Sequence, residues 1–414
     1  MPERAGDRPA HPGVISASRR MPERARGKGR EVTDTPPDPA GQVVPGVRRV
    51  VVLRANGLGD YVVAQPALAA LRAAYPAATI TLVTSPPVAA LLDGRPAPVD
   101  EVLPAPRVAG VRGEPGPDGP PDDPPEAVEE FCAALRTRRF DLGVQLHGGG
   151  GNANPLLLRF GARVTAGSRA PGAAPLDRTV PWTSFQHDLM RWLEVVALVG
   201  ASPVHLQPRV AVTARDRGEA ADALGELGGE ALGGSPLVAM HPGATDPRRR
   251  WLPDRLGELG AALTARGARV VLLGGAGDAP LVGRIRDGLG PAADRAVDLA
   301  GRLSLGGLVG VLERADLFVG NDSGPRHLAE AVGTATVGVF TRANLVDVAP
   351  LFRTRHRVLV SWASRCSACG VDYFAAPCGH DASVLGDVLV DDMLAPALEL
   401  LDLPVRVPAQ SPAG

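Results

Sequence analysis

The sequence predicts an α/β protein of two doubly wound domains in series. Three observations carry that expectation. From Val47 the chain alternates short apolar runs with amphipathic segments, the β-α-β-α pattern of a mostly parallel sheet covered by helices. The alternation lapses over 202–234 and restarts after 235. At 414 residues the chain has the length of two ordinary domains.

The elements follow in order. VRRVVVL (47–53) is a short apolar run that predicts a buried strand. A tight turn, Asn56-Gly57-Leu58-Gly59, leads into a helix from Asp60 to about Tyr75. ATITLVT (78–84) is a second strand and DEVLPA (100–105) a third, edge-like one. Residues 104–125 hold eight prolines and four glycines and predict an exposed loop. A helix over Pro125–Arg138 precedes a buried strand, FDLGVQLH (140–147). The glycine run 148–152 opens a short helix, and 187–200 forms an amphipathic one. In the second half, strands are predicted at 235–241, 268–275, 315–320 and 334–340. Helices are predicted at 253–266, 279–289, 304–314, 323–332 and 386–402. The expected divisions are a disordered extension over 1–46, domains over 47–205 and 206–380, and a last helix with a tail over 381–414.

Composition narrows the function. Lys+Arg is 44 against Asp+Glu 45, a net charge of −1, without the basic surplus of a nucleic-acid binder. No apolar run reaches the roughly 18 residues of a membrane span, and the first 46 residues lack the apolar core of a signal peptide. Four cysteines exclude a disulfide scaffold. The expected location is the cytoplasm. MPERA occurs at Met1 and again at Met21, so either methionine could be the start. Lys28 is the single lysine, so arginine is expected wherever a cation is needed.

In doubly wound sheets ligands bind beyond the carboxyl ends of the strands. Those ends carry the unusual residues: Asn56–Asp60, His147–Asn152, His241–Trp251, Gly274–Asp278 and Gly320–His327. Asn321-Asp322-Ser323-Gly324-Pro325 follows a strand and opens a helix. Asp322 or Ser323 can cap it, and its free N–H groups suit a diphosphate. Arg248, Arg249 and Arg250 stand together after the His241–Thr245 loop, where adjacent cations call for an anion. The Gly57-Leu58-Gly59-Asp60 turn lacks the third glycine of a dinucleotide fingerprint, and Thr84-Ser85 replace the acid expected after the second strand.

Four stretches together resemble glycosyltransferase family 9, which includes the ADP-heptose:lipopolysaccharide heptosyltransferases. They are GLGDYVVAQPALAALRAAYP (57–76), HPGATDPRRRWLPDRLGELGAAL (241–263), LLGGAGD (272–278) and VGNDSGPRHLAEAVGTATVGVF (319–340). The resemblance implies a GT-B fold of two Rossmann-like domains facing a cleft. The acceptor would lie mainly on the first domain and the nucleotide sugar on the second, and the last helix would pack back on the first. It implies inverting, metal-independent transfer of a sugar, a heptose by analogy, from a donor such as ADP-heptose to a hydroxyl of a saccharide or lipid-linked saccharide. Asp60 matches the candidate general base. Arg249 stands where the family carries a phosphate-binding lysine, with Thr245 in the same loop and Arg250 and His327 beside them. Asp322 matches the acid contacting the donor sugar, Ser323 and Gly324 the diphosphate lining, and Asp278 the acid near the ribose hydroxyls. Asn56, Gly57, Gly59 and His147 fall on the acceptor side.

The expected form is a monomer with no cofactor, cytoplasmic or peripheral at the inner face of the membrane. Cys366-x-x-Cys369 and Cys378-Gly379-His380 offer four zinc ligands, but their irregular spacing reads as separate thiols and no metal is expected. Cys132, on an amphipathic helix, reads as core. Two other classes compare with the transferase: a nucleotide-sugar-binding module without chemistry, and an NAD-dependent oxidoreductase. The set Asp60, Arg249 and Asp322 argues against the first, and the missing fingerprint against the second.

Overall fold

A computed structural model describes residues 41–112, 121–225, 234–373 and 378–402. The first half contains β1 (Arg49–Arg54), α1 (Leu58–Ala74), β2 (Thr79–Thr84), α2 (Pro86–Leu92), β3 (Glu101–Pro104), α3 (Pro125–Thr137), β4 (Leu142–Gln145), α4 (Ala153–Leu158), β5 (Val164–Arg169), β6 (Arg178–Pro181) and α5 (Asp188–Ala197). The second contains α6 (Ala214–Leu224), β7 (Leu237–His241), α7 (Pro253–Thr264), β8 (Arg269–Leu272), α8 (Ala279–Leu289), β9 (Ala296–Asp298), α9 (Leu305–Arg314), β10 (Leu317–Asn321), α10 (Gly324–Ala331), β11 (Ala335–Thr341), α11 (Arg342–Val348), β12 (His356–Ser361) and α12 (Val390–Leu401).

The halves repeat one topology. The first sheet runs β3-β2-β1-β4-β5-β6 and the second β12-β11-β10-β7-β8-β9. Every strand pair is parallel. Counted within its own half, each sheet has the order 3-2-1-4-5-6, whose direction reverses between its first and fourth strands. Those switch points are β1/β4 and β7/β10, and the unusual strand-end residues sit beside them. Val50–Leu53 and Leu317–Val319 are wholly buried because helices cover both faces of each sheet. One apolar cluster runs unbroken from Leu68 and Val144 in the first half to Ala239 and Leu328 in the second. Separate clusters fill the outer faces. The expected edge position of β3 and the core position of Cys132 are both found.

Three expectations need correction. Order begins before Val47: Val44 is buried, its N–H donates to the Tyr75 hydroxyl at 3.0 Å, and that hydroxyl donates to the Val199 carbonyl at 2.6 Å. Residues 1–40 of the predicted extension lie outside the described residues, as do 113–120 of the proline-rich loop and the tail from 403. The 202–234 link contains α6, closed by a reciprocal cap between Thr213 and Asp216 and packed on α9. Asp216 also takes Arg95 of the first half in a buried pair at 2.6 Å, so this helix helps join the halves. Finally, α12 does not turn back to the first sheet. It packs on α7, β10, β11 and β12, with Met393, Ala397 and Leu400 in the outer core of the second half.

Candidate active site

Two helix N-termini meet at the seam between the sheets. A Cβ on Gly59 would stand 2.7 Å from His327 Cδ2, and one on Gly324 would stand 3.3 Å from Leu58 Cβ. Both glycines therefore serve close approach of α1 to α10. This contact brings Asp60, in the first turn of α1, beside the Ser323–Gly324 opening of α10.

Asp60 is held from two sides. One carboxylate oxygen accepts the Gly57 N–H at 3.1 Å, and the other pairs with Arg54 Nη2 at 2.9 Å. Arg54 is itself buried, donates to the Leu146 carbonyl at 2.8 Å and lies 4.8 Å over the Trp192 ring. The Asp60 side chain keeps 38% exposure, and each oxygen retains a free lone pair. Asn56, Gly57, Asp60, His147, Gly148–Asn152 and Thr245 line a cavity of about 620 Å³. That size suits a small-molecule ligand. Thr245, from the second half, is an exposed part of its lining. His147 accepts the Ala55 N–H through Nδ1 at 3.2 Å.

On the other side Asp322 sits among two arginines and a buried histidine, whose pKa burial lowers. His327 Nε2 lies 3.2 Å and Arg326 Nε 3.6 Å from Oδ1, and Arg249 Nη1 lies 3.9 Å from Oδ2. Asn344 of α11 donates to Oδ2 at 2.6 Å. Burial alone would raise this carboxyl; His327, Arg326 and Arg249 outweigh it and hold the pKa at about 2. Asp322 Oδ1, Arg249 Nε and Arg326 Nε are buried without a hydrogen-bond partner. Such polar atoms are costly unless a ligand or solvent satisfies them.

The three arginines separate by role. Arg248 is bound at both nitrogens by Asp246, at 3.0 and 2.8 Å, and stacks 4.4 Å over Tyr373. Arg250 donates to the Ala244 carbonyl at 3.1 Å. Arg249 alone of the run reaches Asp322. Ser323 occupies the cap position of α10 but makes no capping bond. Its hydroxyl donates to the Asn321 carbonyl at 3.2 Å and lies 3.4 Å from His241 Nδ1. The first N–H groups of α10 thus have no side-chain cap. Asp322 does not cap the helix either.

His327 is buried and touches Asp322 and Arg326, so it orients the acid from behind. Asp278 accepts the Gly275 N–H at 2.9 Å and approaches His241 Nε2 at 4.0 Å. His241, missing from the expected set, thus bridges Ser323 and Asp278. Arg54 and Asn344 were also missed. Arg54 could have been noticed as the one charge ending an apolar strand run, while Asn344 stands on a helix the sequence pattern does not announce. The expected separate thiols are instead gathered: one ligand atom each of Cys366, Cys369, Cys378 and His380 lies within 4.8 Å of the others.

Burial holds His147, His241 and His356 down at about 4. Unfolded histidine titrates near 6.5, so below that pH the unfolded chain binds more protons than the folded one. Their stabilising effect is complete above about pH 6.5 and is lost as pH falls towards 4. Urea midpoints are expected to stay level above that pH and to fall steadily below it; a midpoint that rises on acidification contradicts the neutral assignment.

A model of glycosyltransferase family 9 (heptosyltransferase) matches residues 128–376. The chain is 34% identical over 112 residues to lipooligosaccharide heptosyltransferase 2 of Haemophilus influenzae, a stretch covering 26% of this chain and 32% of that protein. It thus spans about a third of the length of that curated relative. A family 9 glycosyl transferase from Veillonella parvula has the same fold, with a TM-score of 0.69 and 19% identity over 88% of this chain and 99% of that one. The ADP-heptose LPS heptosyltransferase II of E. coli superposes with a TM-score of 0.64 and 20% identity over 86% of this chain and 98% of that one. Among the described residues no helix is long and apolar enough to cross a membrane.

Proposed function

The chain belongs to glycosyltransferase family 9, and from that premise we propose that it transfers a heptose from ADP-heptose to a hydroxyl of a saccharide or glycolipid acceptor, with inversion. The observation that carries this reading is the juxtaposition of α1 and α10 at the seam. It sets a half-exposed carboxylate, Asp60, against an uncapped helix N-terminus flanked by Arg249. The acceptor would enter the 620 Å³ cavity, lined by His147, the glycine run and Thr245. Asp60 would take the hydroxyl proton as the oxygen attacks the anomeric carbon. The departing diphosphate would gather negative charge, which Arg249 and the first N–H groups of α10 would stabilise. Asp322 would accept hydrogen bonds from sugar hydroxyls, and Asp278 from the ribose. Arg249 and the helix would supply the positive potential, so added Mg²⁺ or Mn²⁺ is expected to leave turnover unchanged. The acceptor chemistry points to work at the inner face of the membrane.

The test is calorimetry with ADP and ADP-heptose. Arg249→Ala removes a charge-assisted hydrogen bond, worth about 1.5–3 kcal/mol. Both ligands are expected to bind about 10- to 100-fold more weakly, at 1.4 kcal/mol per factor of ten. Unchanged ADP affinity in this variant would make Arg249 a solvated surface charge.

A further inference from the structure

The segment following β12 carries a Cys/His cluster that the transfer chemistry does not use. Cys366 is buried, Cys369 and His380 are exposed, and Cys378 is intermediate; none of the cysteines is in a disulfide. The first two sulfurs come from one tight turn. Cys366 N–H donates to the Val371 carbonyl at 2.9 Å, Gly370 N–H donates back to the Cys366 carbonyl at 2.8 Å, and Arg365 bridges Asp372 in antiparallel fashion. Gly370 has φ +74°, which lets this turn close. Three sulfurs and one imidazole within 4.8 Å of one another need only a small contraction to reach the edges, about 3.8 Å, of a tetrahedron with metal–sulfur bonds of about 2.3 Å. A soft, closed S₃N set of that kind suits zinc.

We propose that Cys366, Cys369, Cys378 and His380 bind one zinc ion, which staples the arginine loop 246–250 to the second domain. Both chain segments leaving the cluster grip that loop. On one side the Tyr373 hydroxyl donates to Asp246 Oδ2 at 3.1 Å, its ring lies under Arg248, and its N–H donates to the Ser364 carbonyl at 2.7 Å. On the other, Ser383 Oγ donates to the Arg250 carbonyl at 2.6 Å and Val384 N–H donates to the Arg248 carbonyl at 2.9 Å. Arg249 lies between the gripped Arg248 and Arg250. Loading the ion forms three Zn–S bonds and one Zn–N bond, displaces a proton from each thiol still protonated, and involves no change of oxidation state. The site is thus structural, and it acts on the donor by fixing the loop that carries Arg249. That last link rests on the proposed donor role of Arg249; the metal site itself does not.

The experiment uses the full chain expressed with zinc supplied. Elemental analysis is expected to find one zinc per chain, falling to trace in Cys378→Ser and His380→Ala. Should those variants not fold, cobalt exchanged into the wild-type chain is expected to give the intense visible bands of tetrahedral cobalt bound by thiolates. Wild-type protein with trace metal and no such bands, a disulfide among these cysteines by mass spectrometry, or iron in place of zinc overturns the assignment. Stripping zinc with a mercurial and then restoring the thiols is expected to weaken ADP binding roughly ten-fold, with recovery on adding zinc. Zinc bound and removable with unchanged ADP affinity overturns the staple. Zinc bound in a chain with no affinity for ADP overturns the donor reading and leaves the metal site standing.

Discussion

Replacing Asp60 by asparagine is expected to lower turnover by roughly 10²–10⁴, the usual worth of a positioned general base, while ADP affinity and thermal stability change little. The amide keeps the shape of the carboxylate and one acceptor oxygen, so the Gly57 N–H can remain paired and α1 keeps its start. What is lost is the oxygen able to take a proton, together with the Arg54 ion pair. That pair is partly exposed on the aspartate side and contributes modestly to stability. The measurement is ADP release from ADP-heptose in the presence of acceptor, at saturating donor. Near-wild-type turnover would remove Asp60 from the chemistry and reduce it to a first-turn helix residue.

The second large effect is on stability. Asp322 is the counter-charge to Arg326, which is wholly buried, and to Arg249. Asp322→Ala leaves these cations facing one another with Glu330 as the remaining acid, 3.0 Å from Arg326 Nη1. Breaking a buried charge network by removing one partner costs about 3 kcal/mol or more. A fall of several degrees in melting temperature is expected, together with weaker binding of ADP-heptose than of ADP relative to wild type. Asp322→Asn, which keeps the contact with Asn344 in shape, is expected to lose less stability and as much sugar discrimination. A variant that melts like wild type would place Asp322 outside the ion network. Equal loss of both ligands would make it a support for the loop, without contact to sugar.

The fold was legible because its signal is local. Buried parallel strands carry continuous apolar runs, such as VVVL in β1 and LFVG in β10, and each leads into an unusual turn. Strands that depend on neighbours escaped notice. β5 reads Val-Thr-Ala-Gly-Ser-Arg, and its Thr165 and Ser168 are buried because the sheet and the Asp177 and Gly148 partners accept them. The direction of α12 was also beyond the pattern, since an apolar stripe shows that a helix is covered and not by what. In the site, Asp60, Arg249, Asp322 and Ser323 announce themselves by their position at strand ends. Their supports do not. Arg54, His241 and Asn344 become meaningful only when the two sheets meet. Arg248 was grouped with Arg249 although Asp246, two residues earlier, neutralises it. The irregular spacing of the Cys/His cluster hides its convergence, because the tight turn that joins Cys366 and Cys369 is visible only in the fold.

The proposed donor site places a nucleotide-diphosphate sugar between the carboxyl ends of β7 and β10, over Arg249 and the start of α10. A thermal-shift series with ADP-heptose and with UDP-, GDP- and dTDP-sugars, run on wild type and Arg249→Ala, tests it most directly. Ligand at 100 times its Kd stabilises a folded protein by about 2.7 kcal/mol, enough for a clear rise in melting temperature. The largest rise is expected for ADP-heptose on wild type, and a much smaller one on Arg249→Ala at the same concentration. No rise with any nucleotide sugar, or the same rise in both proteins, would contradict it.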